Sequence, residues 1–417
     1  MPLGSVRNAL VPALLLVAAC ATDGAASLRD GSARAAVSEG VVATLDRQDH
    51  YFRSPADRRR FELALRRIAT ESEDASSYYA AMSDALASLD EGHTSLAGSA
   101  EVPFASTIPP VAIVDAEGAC VIAGVAPGVE GGGLVPGDLV LSVEGVPGEE
   151  ALRQRIAVTP GSTAHGKRAR AVANLLAGPT REPARVRVLG MDGRERVCFP
   201  LRFLLDDEGM DRFRFGFLQE SVSAVPVSAT TAYVALPDFS PERLAELEDA
   251  VRAMGITRTV VLDLRGNPGG RIRTLQRIAG IFLDGPDDLL ILTEGEHKEV
   301  LRAIPGEVRF RGRLRILVDG RTGSAAELLA AALKDLGRAK VYGTATAGST
   351  RSRLSQSLPG GVRLHYAGRA EFRRRDGSPI EGIGVEPDVR FEHTREQLAR
   401  GSYGDPFLDP LVRLAAE

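Results

Sequence analysis

From about residue 225 onward, strand-like apolar runs alternate with amphipathic helix-like runs, and this narrows the possible folds more than any other feature of the chain. "TAYVALPDF" reads as a strand. "SPERLAELEDAVRAMG" reads as a helix capped by Ser240, with Pro241 in its first turn and Leu244, Leu247 and Val251 on one face. "TRTVVLDLRGNPGG" is a buried strand running into a glycine turn, and "RIRTLQRIAGIFL" is a second helix. "RLRILVDG", "TGSAAELLAAALKD" and "AKVYG" continue as strand, helix and strand. Such alternation, closed by right-handed crossovers, predicts a layered α/β domain. Further on, "GGVRLHYAGRAEFRRRDGSPIEG" reads as a hairpin and "GVEPDVRFE" as a last strand.

The preceding chain has a different texture. Residues from about 36 to 97 read as helical, with Ser54 and Pro55 opening one helix whose Phe61, Leu65 and Ile68 share a face. In "SSYYAAMSDALASLDEGH", Tyr79, Met82, Leu86 and Leu89 repeat the pattern, and Gly92 stands where a helix end favours a left-handed residue. Between about 101 and 205, short Val/Ile runs are separated by Gly and Pro turns, as in a compact β-domain. Cys120 and Cys198 lie in two of these runs, and a disulfide and a pair of buried thiols are equal alternatives. No Cys/His cluster suggests a metal site.

The N-terminus reads as a targeting segment. Arg7 precedes an apolar run from Ala9 to Ala19 that is too short to span a bilayer. Val17-Ala18-Ala19-Cys20 resembles a bacterial lipobox, which would place a lipid on Cys20; a plain signal peptide is the alternative. Residues 21–35 are small and polar, like a tether. The formal net charge of −4 argues against a general nucleic-acid binder.

Ser324 is the residue on which chemistry turns. Ser324-Ala325-Ala326-Glu327 fits an S-x-x-E capping box, and a helix cap is its simplest role. Its setting allows another. A strand, a "DGRTG" turn and a helix N-terminus would place backbone N–H groups around any oxyanion formed at that hydroxyl. Gly269 and Gly270 follow a neighbouring strand, and glycines let backbone approach a substrate carbonyl. Strand-end turns on one side of an α/β sheet converge, so the two turns are expected to meet.

Taken in order, "DLRGNPGG", "TGSAAELLAAALKD", "YGTATAG" and "EGIGVEPD" resemble the motifs of the tail-specific, or C-terminal processing, serine peptidase family. The β-region resembles a PDZ domain through Gly133, Leu134, Gly137, Asp138 and Val140. The resemblance implies a crotonase-like α/β core, Ser324 as nucleophile, and an oxyanion hole from the N–H of Ala325 with that of Gly269 or Gly270. Asp335 matches an acidic position of the family, although by itself it reads as a surface charge at a helix end.

The chain departs from the branch that uses a Ser–Lys dyad. Ser349 stands where the lysine would be, and Lys334 lies too far along the Ser324 helix. It resembles instead the branch of the tricorn core protease and interphotoreceptor retinoid-binding protein. That resemblance implies His93, in "LDEGHTSL", as base and Glu381, in "PIEGIGVEPD", as its orienting acid. A serine precedes the histidine in the tricorn pattern, and Gly92 takes that place here. Pro109 and Pro110 lack the N–H donors with which a PDZ loop holds a peptide carboxylate, so that domain is expected to be a lid or spacer.

The expectation is therefore a multidomain α/β chain. A lipoprotein-type signal (1–20) and a tether (21–35) precede a helical region (36–100). A PDZ-like domain (101–205), a peptidase domain (206–395) and a tail (396–417) follow. The implied protein is an envelope-anchored serine endopeptidase that acts on extended or unfolded polypeptide and needs no cofactor, metal or nucleic acid. The alternative is an inactive relative that binds peptide or an apolar ligand. Oligomeric state is not legible.

Overall fold

The computed structural model describes residues 28, 30–97, 106–125, 131–178, 183–205, 213–214, 217–218 and 221–417. Cys20 and the expected signal lie outside these residues, as does most of the tether. No helix of the described residues is long and apolar enough to cross a membrane.

A six-stranded sheet forms the centre of the carboxy-terminal half. Its order is Ser223–Pro226, Thr231–Ala235, Thr259–Asp263, Arg313–Val318, Ala339–Gly343 and Val389–Arg390. The first pair is antiparallel and the others are parallel. Side chains alternate between its faces. Val260, Leu262, Leu314, Ile316 and Val341 pack with the helices Pro241–Ala253, Ile272–Phe282 and Ala325–Asp335. Tyr233, Ala235, Val261, Leu317 and Tyr342 belong to a separate core with the helix Pro410–Ala416.

That second face corrects the sequence reading of residues 396–417 as a tail. Leu411, Val412 and Ala415 are buried against the sheet. A mainly parallel sheet must be covered on both faces, and the earlier helices cover only one. Burying side chains such as Leu411 and Val412 contributes roughly 1.5–3 kcal/mol each. An ion pair fixes the helix in place: Arg265 and Asp409, both buried, meet at 2.9 Å.

Two other expectations change. The stretch read as one hairpin is divided between two sheets. Arg363–Ala367 pairs with Arg353–Ser357 and with Ser95–Ala97, whereas Glu371–Arg373 pairs with Asp288–Glu294. The first amino-terminal helix, Gly31–Asp46, starts inside the expected tether. Asp30 caps it, and Val37, Val41 and Leu45 recur every four residues on its buried face.

The helices Gly31–Asp46, Pro55–Glu71 and Ala75–Ala87 do not form a core by themselves. They share one with Leu358, Val362, Leu364 and Ala367 from the late chain. The strand Ser95–Ala97 extends the sheet of that late segment, so chain ends more than 250 residues apart are joined here.

The middle domain has a six-stranded sheet: five strands lie in chain order from Val111–Ala116 to Glu195–Cys198, and the short strand Val146–Pro147 pairs with Leu139–Val143; the helices Gly148–Ala157 and Ala164–Ala173 accompany it. Asp138 of "PGD" is fully buried and accepts both the Val135 N–H and the Arg196 guanidinium. Cys120 and Cys198 are free, buried thiols on strands separated in the sheet by two others. Of the two alternatives the thiol pair is the one present.

Candidate functional site

The turn that follows the strand Arg313–Val318 is tied to the turn after Thr259–Asp263. Asp319 Oδ1 accepts the N–H groups of Gly266 (2.8 Å), Arg321 (3.0 Å) and Thr322 (3.0 Å). Thr322 Oγ1 donates to the Leu264 carbonyl at 2.8 Å, and the Gly323 N–H donates to the Asn267 carbonyl at 2.9 Å. The two strand-end turns meet, as the sheet topology leads one to expect.

Ser324 comes next, with φ 51° and ψ −126°. A non-glycine residue with positive φ costs about 1–3 kcal/mol and persists only where its surroundings enforce it. The enforcement is visible: the Ser324 N–H donates to the Ser349 carbonyl (2.9 Å) and to Glu327 Oε2 (2.9 Å). The hydroxyl thus stands at the start of the helix Ala325–Asp335, on a backbone that a simple cap does not need.

Gly269 makes the close approach possible. A Cβ there would lie 2.7 Å from the Ser324 Cβ and 2.7 Å from the Ala325 nitrogen. Its own N–H is engaged by Asn267 Oδ1 at 2.8 Å. Among the described residues, the N–H groups of Gly270 and Ala325 have no acceptor. The Gly269 turn packs directly on Ser324, and free N–H groups on such a turn and on the residue after a serine are the kind that can stabilise an oxyanion.

Glu327 lies beneath this turn and is fully buried. Besides the Ser324 N–H, its carboxylate takes Thr346 Oγ1 (2.5 Å), the Gly348 N–H (2.6 Å) and the Ser349 N–H (3.0 Å). Burial pushes the carboxyl up to about 7 against the pull of these donors. The capping-box glutamate is legible in the sequence; its grip on residues 346–349 is not.

His93 arrives on a separate element. The preceding helix ends at Ala87, and Asp90, at φ 53°, makes the left-handed turn that the sequence assigns to Gly92. Gly92 is needed for space instead: a Cβ there would lie 2.1 Å from Ser349 Oγ. The Ser349 hydroxyl therefore occupies the room that a serine before His93 would need. Arg170 Nη1 donates to the Gly92 carbonyl at 3.1 Å. Thr163 and His165, at the N-terminal end of the middle domain's second helix, hold the carbonyls of Ala347 (2.9 Å) and Thr346 (2.6 Å). The middle domain thus braces both the His93 turn and the loop under Ser324.

The carboxylate beside His93 is Glu91, which the sequence reading passed over. Glu91 Oε1 stands 3.6 Å from His93 Nδ1, and the two residues are almost wholly buried. Burial would raise Glu91, but His93 and Thr94 hold it below the usual carboxylate range. Glu381, expected as the orienting acid, makes no hydrogen bond or ion pair to His93. Its Oε2 accepts the N–H groups of Thr350 (2.5 Å) and Arg351 (3.0 Å) and the Thr350 hydroxyl (3.2 Å). A glutamate two residues before a histidine was the available signal; at a helix end it reads as an ordinary surface charge.

No hydrogen bond joins His93 to Ser324 Oγ among the described residues. Catalytic hydrogen bonds are often long before substrate binds. The nearby lysines offer no substitute. Lys334 Nζ is held by the Glu386 carbonyl (2.6 Å) and Asp388 (3.1 Å), and Lys340 lies over the Tyr342 ring. Asp335 pairs with Arg374 at 2.5 Å at the far end of the Ser324 helix, so its role here is an ion pair. No cluster of potential metal ligands occurs among the described residues. A cavity of about 630 Å³ opens at the opposite end of the central sheet, beside Arg311–Arg315 and Leu336–Arg338, away from Ser324.

With this geometry in view, the likeness to known proteins can be placed. Residues 230–391 match peptidase family S41. A Staphylococcus aureus protein described as a probable CtpA-like serine protease is 31% identical over 169 residues, which are 39% of this chain and 34% of that protein. The match thus spans about a third of the relative's length. Mature CPAF, solved with lactacystin, superposes with a TM-score of 0.71 at 14% identity, over 92% of this chain and 98% of that one. The photosystem II D1 C-terminal processing protease gives 0.56 at 19% identity, over 92% and 97%. At these identities the structural likeness is one of fold. The segment carrying Ser324 and the Gly269–Gly270 turn is a peptidase family S41 domain, and the tail-specific resemblance of the motifs holds.

Proposed function

Starting from a chain whose residues 230–391 form a family S41 domain, we propose that the protein is a serine endopeptidase acting through an acyl-enzyme at Ser324. One observation carries this reading: a serine held at positive φ with the Gly269 turn packed on it, while the N–H groups of Gly270 and Ala325 have no acceptor among the described residues. A structural cap needs neither feature.

The chemistry follows from the groups present. His93 Nδ1 faces Glu91, which leaves Nε2 for the hydroxyl. Ser324 Oγ adds to the scissile carbonyl carbon as its proton passes to His93 Nε2. The carbonyl oxygen becomes an oxyanion in the Gly270–Ala325 N–H pair. Collapse breaks the C–N bond, and the departing amine takes the proton from His93. Water then adds to the ester by the same route, releases the acid and restores Ser324. Glu381 acts at one remove, by fixing Thr350 and Arg351 behind the Ser349 carbonyl.

The site is assembled among turns, so the substrate is an extended or unfolded polypeptide segment. The middle domain, PDZ-like in its motifs, serves as a brace for the His93 turn more than as a reader of free C-termini. Attachment to the cell envelope through a lipid on Cys20 completes the proposal.

A second reading, an inactive binder of peptide or apolar ligand, is favoured only by the missing His93–Ser324 bond. Fluorophosphonate labelling together with casein hydrolysis separates the two. Labelling of the wild type that is lost in Ser324→Ala supports the peptidase. Labelling that persists in Ser324→Ala removes Ser324 as the nucleophile. Silence of the wild type in both assays favours the binder.

A further inference from the structure

The turn that carries His93 contains a directed chain of hydrogen bonds that ends on Glu91. The Ala367 N–H donates to the Tyr51 hydroxyl at 2.7 Å. Tyr51 Oη lies 2.6 Å from Thr94 Oγ1. Thr94 Oγ1 in turn donates to Glu91 Oε2 at 2.8 Å, and the same oxygen accepts the His93 N–H at 2.8 Å. Each hydroxyl has one proton, so the directions are fixed: Tyr51 donates to Thr94 and Thr94 donates to Glu91. A carboxylate oxygen at the end of such a chain acts only as an acceptor.

The other carboxylate oxygen is the telling atom. Glu91 Oε1 and His93 Nδ1 are both buried, both lack a hydrogen-bond partner among the described residues, and they face each other at 3.6 Å. A shift of a few tenths of an ångström would satisfy both, and buried polar groups rarely stay unpaired. Among the described residues, His93 is the foremost group answering the Glu91 charge. His50 is buried beside Tyr51, and burial, with Arg351, pushes its imidazole down to about 4, so it stays neutral at ordinary pH. Glu381 is held by Thr350 and Arg351.

We propose that Glu91 is the positioning residue for His93: it accepts the Nδ1–H, fixes the tautomer with Nε2 free for Ser324, and is itself held by Thr94, Tyr51 and the late strand Arg363–Ala367. This deepens the peptidase reading and rests on it for its catalytic consequence. The relay also explains why the base can sit on an amino-terminal turn. Its last donor comes from the carboxy-terminal half, so docking of the two halves sets the imidazole.

The test uses the full chain and two independent readouts. Nitrogen-15 spectra of the His93 ring report the tautomer whether or not the protein turns over substrate. Protonated Nδ1 in the wild type, with the Nδ1–H preference lost in Glu91→Gln and kept in Glu381→Gln, is the expected result. Protonated Nε2 with bare Nδ1 in the wild type would overturn the proposal. In steady-state hydrolysis, Glu91→Gln should lower kcat by roughly 10³–10⁴-fold with KM little changed, the scale on which an orienting acid acts when replaced by its amide. Thr94→Val should lower kcat by about tenfold, as expected of a group one bond further from the imidazole. An unchanged kcat in Glu91→Gln beside a large loss in Glu381→Gln would return the role to Glu381 and leave the serine peptidase intact. A wild type with the expected tautomer but no labelling at Ser324 would instead sink the peptidase and keep the Glu91–His93 pairing. Should Glu91→Gln fail to fold, the wild-type tautomer alone decides.

Discussion

Two turns about the candidate site are built in opposite ways. Around Ser324, hydrogen bonds to Asp319, Thr322, Asn267 and Glu327 fix the turns, and the N–H groups of Gly270 and Ala325 have no acceptor among the described residues. Around His93, two buried atoms that ought to be bonded stand 3.6 Å apart. The Ser324 side is thus preformed and strained, whereas the His93 side can tighten. This is the expected division when one half lies inside a single domain's sheet and the other arrives on a turn docked from elsewhere. Preorganisation is strongest where the backbone of one rigid unit supplies it.

The first way to break the comparison is to remove each reactive group. Ser324→Ala and His93→Ala should each lower kcat by roughly 10⁴-fold or more. Their melting temperatures should stay close to wild type. A His93→Ala variant that keeps its turnover would mean that the two turns are not one site.

Glu327→Gln tests how much of the preformed side depends on one carboxylate. The amide cannot accept from all four donors, so about 2–4 kcal/mol of stability should be lost in urea titration. Fluorophosphonate labelling should slow as well, because the Ser349 loop loosens.

A third test reaches the support behind the turns through pH. Burial alone would raise Asp409, but Arg265 foremost, with His393, holds it well below the carboxylate range. Its contribution to stability is therefore present above the unfolded carboxylate pKa, about 3.9, and is lost as pH falls below it. Asp409→Asn should flatten the acid limb of the stability curve between roughly pH 4 and 2. An unaltered limb would show that the pair does not couple the carboxy-terminal helix to the Arg265 turn.

Contact between the two turns is checked by Gly92→Ala, whose new methyl collides with Ser349. A loss of about 1–3 kcal/mol is expected. Ser349→Gly in the same chain should recover much of it, and a double-mutant cycle measures the coupling directly. Additive effects would place the turns further apart than described.

The smallest effect concerns strain. Ser324→Gly should raise stability by about 1 kcal/mol in thermal melts, since glycine accepts positive φ, offset in part by the greater freedom of its unfolded chain. Unchanged or lower stability would mean that the backbone at Ser324 is not strained.

Much of this could be read from the chain alone. Strand–helix alternation gave the layered sheet, and the glycines after "VVLDL" together with the serine after "DGRTG" marked the turns that meet. Local pattern suffices there because consecutive elements of an α/β sheet are neighbours in space. Pattern misleads where a segment's partner is remote. "RLHYA" and "EFR" look like one hairpin, yet they join different sheets, and residues 396–417 look like a tail although they cover a face. Glu91 and Glu381 show the same limit for chemistry. Both are glutamates in glycine-flanked turns, and motif order favours the later one.

What the sequence by itself determined is the periodicity of the sheet, the turn chemistry and the residue types available for catalysis, all of which depend on near neighbours. Only the tertiary structure decided which carboxylate faces His93, which of two glycine N–H groups is free, and why position 92 must be small. Those answers depend on distances between residues up to some 300 positions apart, and such distances are set by how separate cores pack together, which no local pattern encodes.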